Sequence, residues 1–176
     1  MTTMVVLGAC GSSSDDDTTS SESTTQSSEA PPTTEVPTFE PREDSCKVKG
    51  SNATATLTDN ADNVVLTFKG ESIRPTDTTG FYATVFDAAG ENGGQIGAQY
   101  MDGDLISYFI AVETDGPQAN LQGEPEIRGK TITMTFPKDS GGLGDIEIAN
   151  WSAAFTVAGE DVGMCPEGYG TQPYAD

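Results

Sequence analysis

The chain has 176 residues, enough for one domain with appendages, and a formal net charge of −20. This acidic balance makes nucleic acid and anionic lipid poor partners, because phosphate binding needs a basic surface. The chain contains no histidine, so the most common general base is missing and a metal site is disfavoured.

The first patterned segment is a short apolar run that ends in Leu7-Gly8-Ala9-Cys10 and is followed at once by a polar tract. This pattern resembles the lipobox of a bacterial lipoprotein, in which the cysteine thiol receives a diacylglyceryl group and the preceding chain is removed. The resemblance implies that residues 1–9 are the remnant of a signal peptide. It further implies that Cys10 is the lipidated N-terminus, bound to a membrane at the outer face of the cytoplasmic membrane or in the cell envelope.

Residues 10–45 read as a linker after that cysteine. Between residues 12 and 44 the sizeable apolar side chains are Val36 and Phe39, and nine acidic residues stand against Arg42 alone. Such a segment cannot bury enough apolar surface to offset its chain entropy, so we expect it to be disordered. Treated as a flexible coil, it spans about 30–35 Å.

The region from residue 46 to 166 has an apolar period of two, which is typical of β-strands with one buried face. The predicted strands lie at residues 53–58, 64–68, 81–86, 95–100, 105–112, 126–128, 131–136, 146–149 and 151–157. The side chains expected to face the core together are Ile132, Met134, Phe136, Trp151 and Phe155. No window of ten or more residues keeps a helical stripe free of Gly and Pro.

About eight short strands in so few residues predict an all-β fold. The expected architecture is an antiparallel β-sandwich, immunoglobulin-like or related, or a small barrel. Asp102-Gly103 between two strands predicts a two-residue type I′ hairpin. Residues 167–176 are expected to form a frayed tail, and residues 141–144, which are rich in glycine, a flexible connection between strands.

Two cysteines, Cys46 and Cys165, stand at the two ends of the β-patterned region. In an exported protein such a pair usually forms a disulfide. The alternatives are a metal pair or reduced thiols in the core. The disulfide prediction therefore depends on export.

No catalytic residue can be named from the sequence. There is no histidine to activate a nucleophile, no SxxK motif among the five lysines, and no Lys-Ser/Thr after the glycines at 141–144. We therefore predict a protein that is not an enzyme and carries no cofactor and no metal.

Carboxylates and tyrosines keep two alternatives open. Asp102 with Asp104, or Asp59 with Asp62, could hold Ca²⁺, although Asp is also common in turns for its own hydrogen bonds. Two carboxylates in one cleft could hydrolyse glycosides. The tyrosines that could contact a carbohydrate from a sheet are Tyr82, Tyr100 and Tyr108, and the more common outcome for such residues is burial in the core.

The sequence thus favours a lipid-anchored β-domain that binds an unknown protein or glycan as a monomer. A carbohydrate- or Ca²⁺-binding accessory domain is the first alternative, and a small carboxylate-dependent glycoside hydrolase is the second. Solvent-facing aromatic side chains beside a groove would favour the first alternative. Two converging, desolvated carboxylates would favour the second.

Overall fold

A computed structural model describes residues 39–71, 78–112, 117–168 and 170–174, and in it two antiparallel β-sheets pack face to face. This confirms the prediction of an all-β sandwich, and the described strands do not close into a barrel. The predicted lipidation site Cys10 and the predicted linker up to residue 38 lie outside the described residues.

Twelve strands are described, more than the number of about eight expected, because the sequence did not predict β1 and β11 at the edges or the two-residue strands β7 and β12. The five-stranded sheet has the order β1 (Arg42–Val48), β2 (Ala53–Asp59), β3 (Asn63–Gly70), β9 (Thr131–Pro137) and β8 (Glu126–Arg128). The seven-stranded sheet has the order β11 (Glu160–Cys165), β10 (Asn150–Val157), β4 (Thr79–Phe86), β5 (Gly93–Met101), β6 (Asp104–Val112) and β7 (Ala119–Asn120). Its remaining strand, β12 (Gln172–Pro173), pairs with the start of β10.

The core lies between the two sheets and follows the alternation seen in the sequence. The five core residues predicted from that alternation are all buried, which confirms the prediction: Ile132, Met134, Phe136, Trp151 and Phe155. Phe81 stacks on Phe155 within the seven-stranded sheet, with ring centroids 5.1 Å apart, and meets Phe68 of the opposite sheet at 5.5 Å. Burial of such large apolar side chains is the main source of stability in a domain of this size.

One side of the sandwich is joined between its edge strands. Cys46 on β1 and Cys165 on β11 form the expected disulfide, with their Cα atoms 6.0 Å apart. Beside it, Lys49 and Met164 exchange two backbone hydrogen bonds of 3.0 and 3.2 Å. The edges of the two sheets are therefore linked both covalently and by the backbone.

The domain begins earlier and ends later than the sequence predicted. Strand β1 starts at Arg42, inside the segment expected to be linker, because Asp44 accepts hydrogen bonds from Trp151 Nε1 at 2.8 Å and Gln172 Nε2 at 2.7 Å. The predicted frayed tail is also wrong where it is described. Tyr174 is buried, and its ring lies under the Arg42 guanidinium at 4.8 Å.

The connection between β9 and β10 differs from the prediction as well. Residues 146–149 were expected to form a strand, but the structure has no strand there, and Ile146 and Ile148 are buried against the core instead. Residues 141–144 were expected to be a plain connection, and the structure has a single 3-10 turn there, Leu143–Asp145. The apolar alternation of this segment arises because its isoleucines cover the end of the core, and not because the segment pairs in a sheet.

The strand directions give the sandwich two poles. The start of β1, Tyr174 and the connections at residues 60–62, 87–92 and 138–149 lie at one pole, which we call the chain-end pole. The turns at residues 49–52, 102–103, 129–130 and 158–159 lie at the other, which we call the far pole.

Candidate functional site

The central strands of the seven-stranded sheet carry almost no charge on their outer face, in a protein with a net charge of −20, and the acidic residues Glu160 and Asp161 lie on the edge strand β11. Strands β4, β5 and β10 contain no Asp, Glu, Lys or Arg, and β6 contains only Asp104, at its first position. The aromatic, amide and hydroxyl side chains that alternate outward are Tyr82, Thr84, Phe86, Gln95, Gln99, Phe109, Ser152 and Thr156. This composition suits an uncharged ligand with many hydrogen-bonding groups.

A groove of about 750 Å³ lies on this face at the chain-end pole. Its floor contains Thr84, Gln95 and Ala111, which are direct cross-strand neighbours on β4, β5 and β6. Its lining also includes Asn92, which precedes β5, and Asp145 of the 3-10 turn. The volume lies in the range of pockets that bind small ligands.

An aromatic ring forms part of the groove. Phe86 ends β4 and lies against Gly93, its cross-strand partner, where a Cβ atom would collide with the ring. The missing side chain at residue 93 therefore lets the half-exposed ring lie close to the sheet. Rings in this position offer a flat apolar surface beside the polar groups of Thr84 and Gln95.

The loop that precedes β5 is held in place by one carboxylate. Asp87 accepts hydrogen bonds from the backbone N–H groups of Glu91 at 3.0 Å and Asn92 at 3.2 Å, and from Asn92 Nδ2 at 2.6 Å. The Asn92 side chain contributes most to lowering the pKa of Asp87. The side chains at the rim of the groove are thus positioned before any ligand arrives.

A second aromatic side chain lies farther along the same face. Tyr82 is four residues before Phe86 on β4, a distance of about 13 Å, and its ring crosses Gly97 and lies 6.1 Å from the ring of Phe109. Burial raises the pKa of Tyr82, and a hydrogen bond with the Thr156 side chain partly offsets that effect. The face therefore offers two aromatic positions in line along one strand.

A buried ionic cluster lies on the opposite sheet at the chain-end pole. Asp59 Oδ2 is 2.8 Å from Arg42 Nη2, and Asp59 Oδ1 is 2.6 Å from Lys138 Nζ. The Asp59 N–H donates to the Tyr174 hydroxyl at 3.1 Å, and Arg42 also donates to the Ile148 carbonyl at 3.0 Å. This cluster fastens both ends of the domain to β2.

Neither of the two aspartate pairs considered for Ca²⁺ forms a cation site in the structure. Both carboxylate oxygens of Asp59 face cations, so Asp59 and the exposed Asp62 do not form a cation site. Asp102 and Asp104 are exposed beside the far-pole hairpin, whose tip residues Asp102 and Gly103 have φ of 53° and 89°, as the type I′ prediction requires. Within the described ranges, no group of three or more His, Cys, Asp or Glu residues could hold a metal ion.

Most of the tyrosines considered for ligand contact are in the core. Burial raises the pKa of Tyr100, Tyr108 and Tyr174 to about 12 each. The Tyr108 hydroxyl donates to the Thr135 carbonyl, which ties the two sheets together. These hydroxyls stay protonated at neutral pH, so none of the three can act as a general base there. Among Tyr82, Tyr100 and Tyr108, which the sequence offered for ligand contact, Tyr82 alone lies on an outer face.

The groove was missed at the level of sequence. Its lining comes from the end of β4, the start of β5, the end of β6 and the 3-10 turn, which are far apart along the chain. One signal was available: in a strongly acidic chain, residues 79–86, 93–101 and 150–157 are free of charged side chains.

Comparison with known proteins adds no relative. No protein family, no curated protein and no solved structure matches this chain. In the part of the chain that the structure describes, there is no helix of the length and apolarity needed to span a bilayer.

Proposed function

We propose that this chain is a lipid-anchored, non-catalytic binding module of the bacterial cell envelope, and that it takes its ligand in the groove on the seven-stranded sheet. The observation that supports the binding role is the absence of charged residues from strands β4, β5 and β10, whose outer face carries Phe86, Thr84 and Gln95 of a preorganised groove. A face that served only solubility would be expected to share the acidic character of the rest of the chain.

The composition of the groove favours carbohydrate as the ligand class. The flat ring of Phe86 can stack on the apolar face of a sugar ring, while Gln95, Thr84 and Asn92 can exchange hydrogen bonds with its hydroxyl groups. Tyr82 supplies a second ring about 13 Å along the strand, which suits an extended glycan rather than a single sugar.

The acidic residues of the groove argue against the glycoside hydrolase alternative. Glu91 and Asp145 line the groove and are both exposed to solvent. A carboxyl group that acts as a general acid near neutral pH needs burial or a like-charged neighbour to raise its pKa. Asp87, beside the groove, has a shifted pKa, but the shift is downward.

The ligand prediction can be tested with the soluble Cys10→Ser chain and a panel of neutral gluco-, manno- and chito-oligosaccharides. We expect at least one to bind, and Phe86→Ala or Gln95→Ala to weaken its affinity about tenfold or more, because central contact residues usually carry most of the binding energy. The matched control is Thr67→Ala on the outer face of the other sheet, which should bind as wild type.

Two results would count against this proposal. If groove variants and the Thr67→Ala control bind an oligosaccharide equally well, the groove is not the site. If the wild-type chain shortens an oligosaccharide and an amide replacement of Glu91 or Asp145 abolishes that activity, the module is an enzyme.

The anchoring part of the proposal depends on Leu7-Gly8-Ala9-Cys10. Expressed behind a complete lipoprotein signal, the wild-type protein should partition into detergent and carry a diacylglyceryl group on Cys10 by mass spectrometry. The Cys10→Ser variant should lack that lipid. Recovery of the wild type from the cytoplasm with an unmodified Cys10 would contradict the anchor.

A further inference from the structure

The register of the five-stranded sheet brings three cationic side chains into one line. Lys47, Thr54, Lys69, Thr131 and Arg128 are successive cross-strand partners on β1, β2, β3, β9 and β8. All five side chains belong to the outer face, since the residues next to them along the strands point inward. We call this line the cation row.

The positive charge of the described segments is concentrated around this row. Seven lysines and arginines lie in the described segments, and two of them, Arg42 and Lys138, hold Asp59. The other five, all in or beside the row at the far pole, are Lys47, Lys49, Lys69, Arg128 and Lys130. Scattered lysines serving solubility would not be expected to gather at one corner of an acidic protein.

Three of these five cations form ion pairs within the described segments, and the other two do not. Lys49 pairs with Glu167, Arg128 with Glu126, and Lys130 with Glu71. Across the ranges that the structure describes, Lys47 and Lys69 have no acidic partner within ion-pair distance. They stand on either side of Thr54, whose hydroxyl can donate a hydrogen bond to a group held between them.

The geometry suits a long and narrow ligand. Neighbouring strands are about 4.8 Å apart, so the cations of the row repeat about every 10 Å over about 19 Å. A hollow of about 530 Å³ beside the row is lined by Thr54, Thr56, Thr67 and Lys69, and by Lys130 with its ion-pair partner Glu71. Hydroxyl groups alternating with cations can serve the acidic groups and the backbone of a polymer in turn.

We infer that the cation row binds a linear polyanion of the cell surface, one that carries phosphate, sulfate or carboxylate groups along a flexible chain. Lys47 and Lys69 neutralise successive charges of the polymer, and the threonines between them hydrogen bond to it. This site lies on the opposite sheet from the groove and does not depend on the ligand proposed for the groove, and only the cell-surface origin of the polymer rests on the proposed anchoring at Cys10.

A polymer fits this row better than a membrane surface does. Lys47 is five residues along β1 from Arg42, where the chain enters the domain, so the row is about 17 Å toward the far pole. A lipid surface broad enough to reach several residues of the row would also meet the acidic groups around it. A single polymer strand is narrow enough to follow the row alone. Its charges then lie within a screening length of about 10 Å from the lysines of the row.

The test uses the full chain with Cys10→Ser and two probes, dextran sulfate and inorganic polyphosphate, at low ionic strength. Neutral dextran and vesicles with anionic lipids serve as reference ligands. We expect dextran sulfate or polyphosphate to bind with an affinity that falls as salt rises. The double variant Lys47→Gln/Lys69→Gln should weaken binding at least tenfold and reduce the salt dependence.

A matched control separates the row from net charge. The double variant Lys49→Gln/Gln118→Glu also lowers the net charge by two but leaves the row and the hollow intact, so it should bind within about threefold of wild type. If both double variants lose affinity equally, binding reflects total charge and the cation row is not a site. The inference would also be overturned if neither dextran sulfate nor polyphosphate binds, or if the chain binds the vesicles more tightly than it binds these polymers. Phe86→Ala should leave polyanion binding unchanged, which keeps this test distinct from that of the groove.

Discussion

Replacing Cys46 and Cys165 together by serine is expected to lower the free energy of unfolding of the β-domain by about 5 kcal/mol. The disulfide closes a segment of 119 residues, and in the chain-entropy model a loop of that length restricts the unfolded chain by about this amount. The melting temperature should fall on the order of 15 °C, measured by circular dichroism.

Cys10→Ser provides the control, because it replaces a cysteine by serine without removing a cross-link. Its unfolding transition should coincide with that of the wild-type domain, and only the Cys46→Ser/Cys165→Ser variant should be insensitive to added reductant. A double variant that melts within about 3 °C of the control would show that the bridge contributes little to folding.

Asp59→Asn is expected to destabilise the domain by about 3 kcal/mol. The Asp59 side chain is 4% exposed and faces two cations, so the neutral amide leaves Arg42 and Lys138 without their shared counter-charge. We place the cost at the lower end of the range for breaking a buried pair, because Arg42 is 32% and Lys138 19% exposed, and both can turn toward water. Urea unfolding followed by tryptophan fluorescence would measure the loss.

Asp62→Asn is the natural comparison for that experiment. Asp62 is exposed in the same connection between β2 and β3, so removing its charge should change stability by no more than about 0.5 kcal/mol. Equal effects of the two substitutions would mean that Asp59 contributes only through long-range charge, and the cluster would then have no special part in fastening the chain ends.

Much of the fold could be predicted because burial and sequence alternate together. Ile132, Met134 and Phe136 separate from their threonine neighbours in a way that only a half-buried strand produces. The hairpin at Asp102-Gly103 was equally accessible, since few residue pairs adopt two positive φ angles in succession. These features depend on neighbours in the chain and need no knowledge of the partner strand.

The sequence was a poor guide wherever the structure of a segment depends on contacts with residues far away in the chain. The stretch from Arg42 to Asp44 looks like linker, yet Asp44 satisfies the indole of Trp151 more than a hundred residues away. Ile146 and Ile148 alternate like a strand, but their segment is not a strand and both side chains are buried against the core. Local pattern cannot distinguish these cases because the deciding contacts are tertiary.

Both candidate surfaces depend on register, which the sequence does not reveal. Lys47, Lys69 and Arg128 become neighbours only when β1, β3 and β8 take their places in the sheet. The groove likewise appears only after Thr84, Gln95 and Ala111 line up on three strands. A shift of one residue in any pairing would turn these side chains to the other face of the sheet.

The disulfide at the edge of the sandwich also decides how the domain bears a mechanical load. Tension on the preceding chain enters at Arg42 and is applied to the end of β1, an edge strand whose hydrogen bonds to β2 would open one after another. Peeling can proceed only from Arg42 to Ser45, because Cys46 then transfers the tension through its covalent bond to β11 in the other sheet. Tension applied through the chain before Arg42 would thus release four residues of β1 and then be resisted by both sheets together.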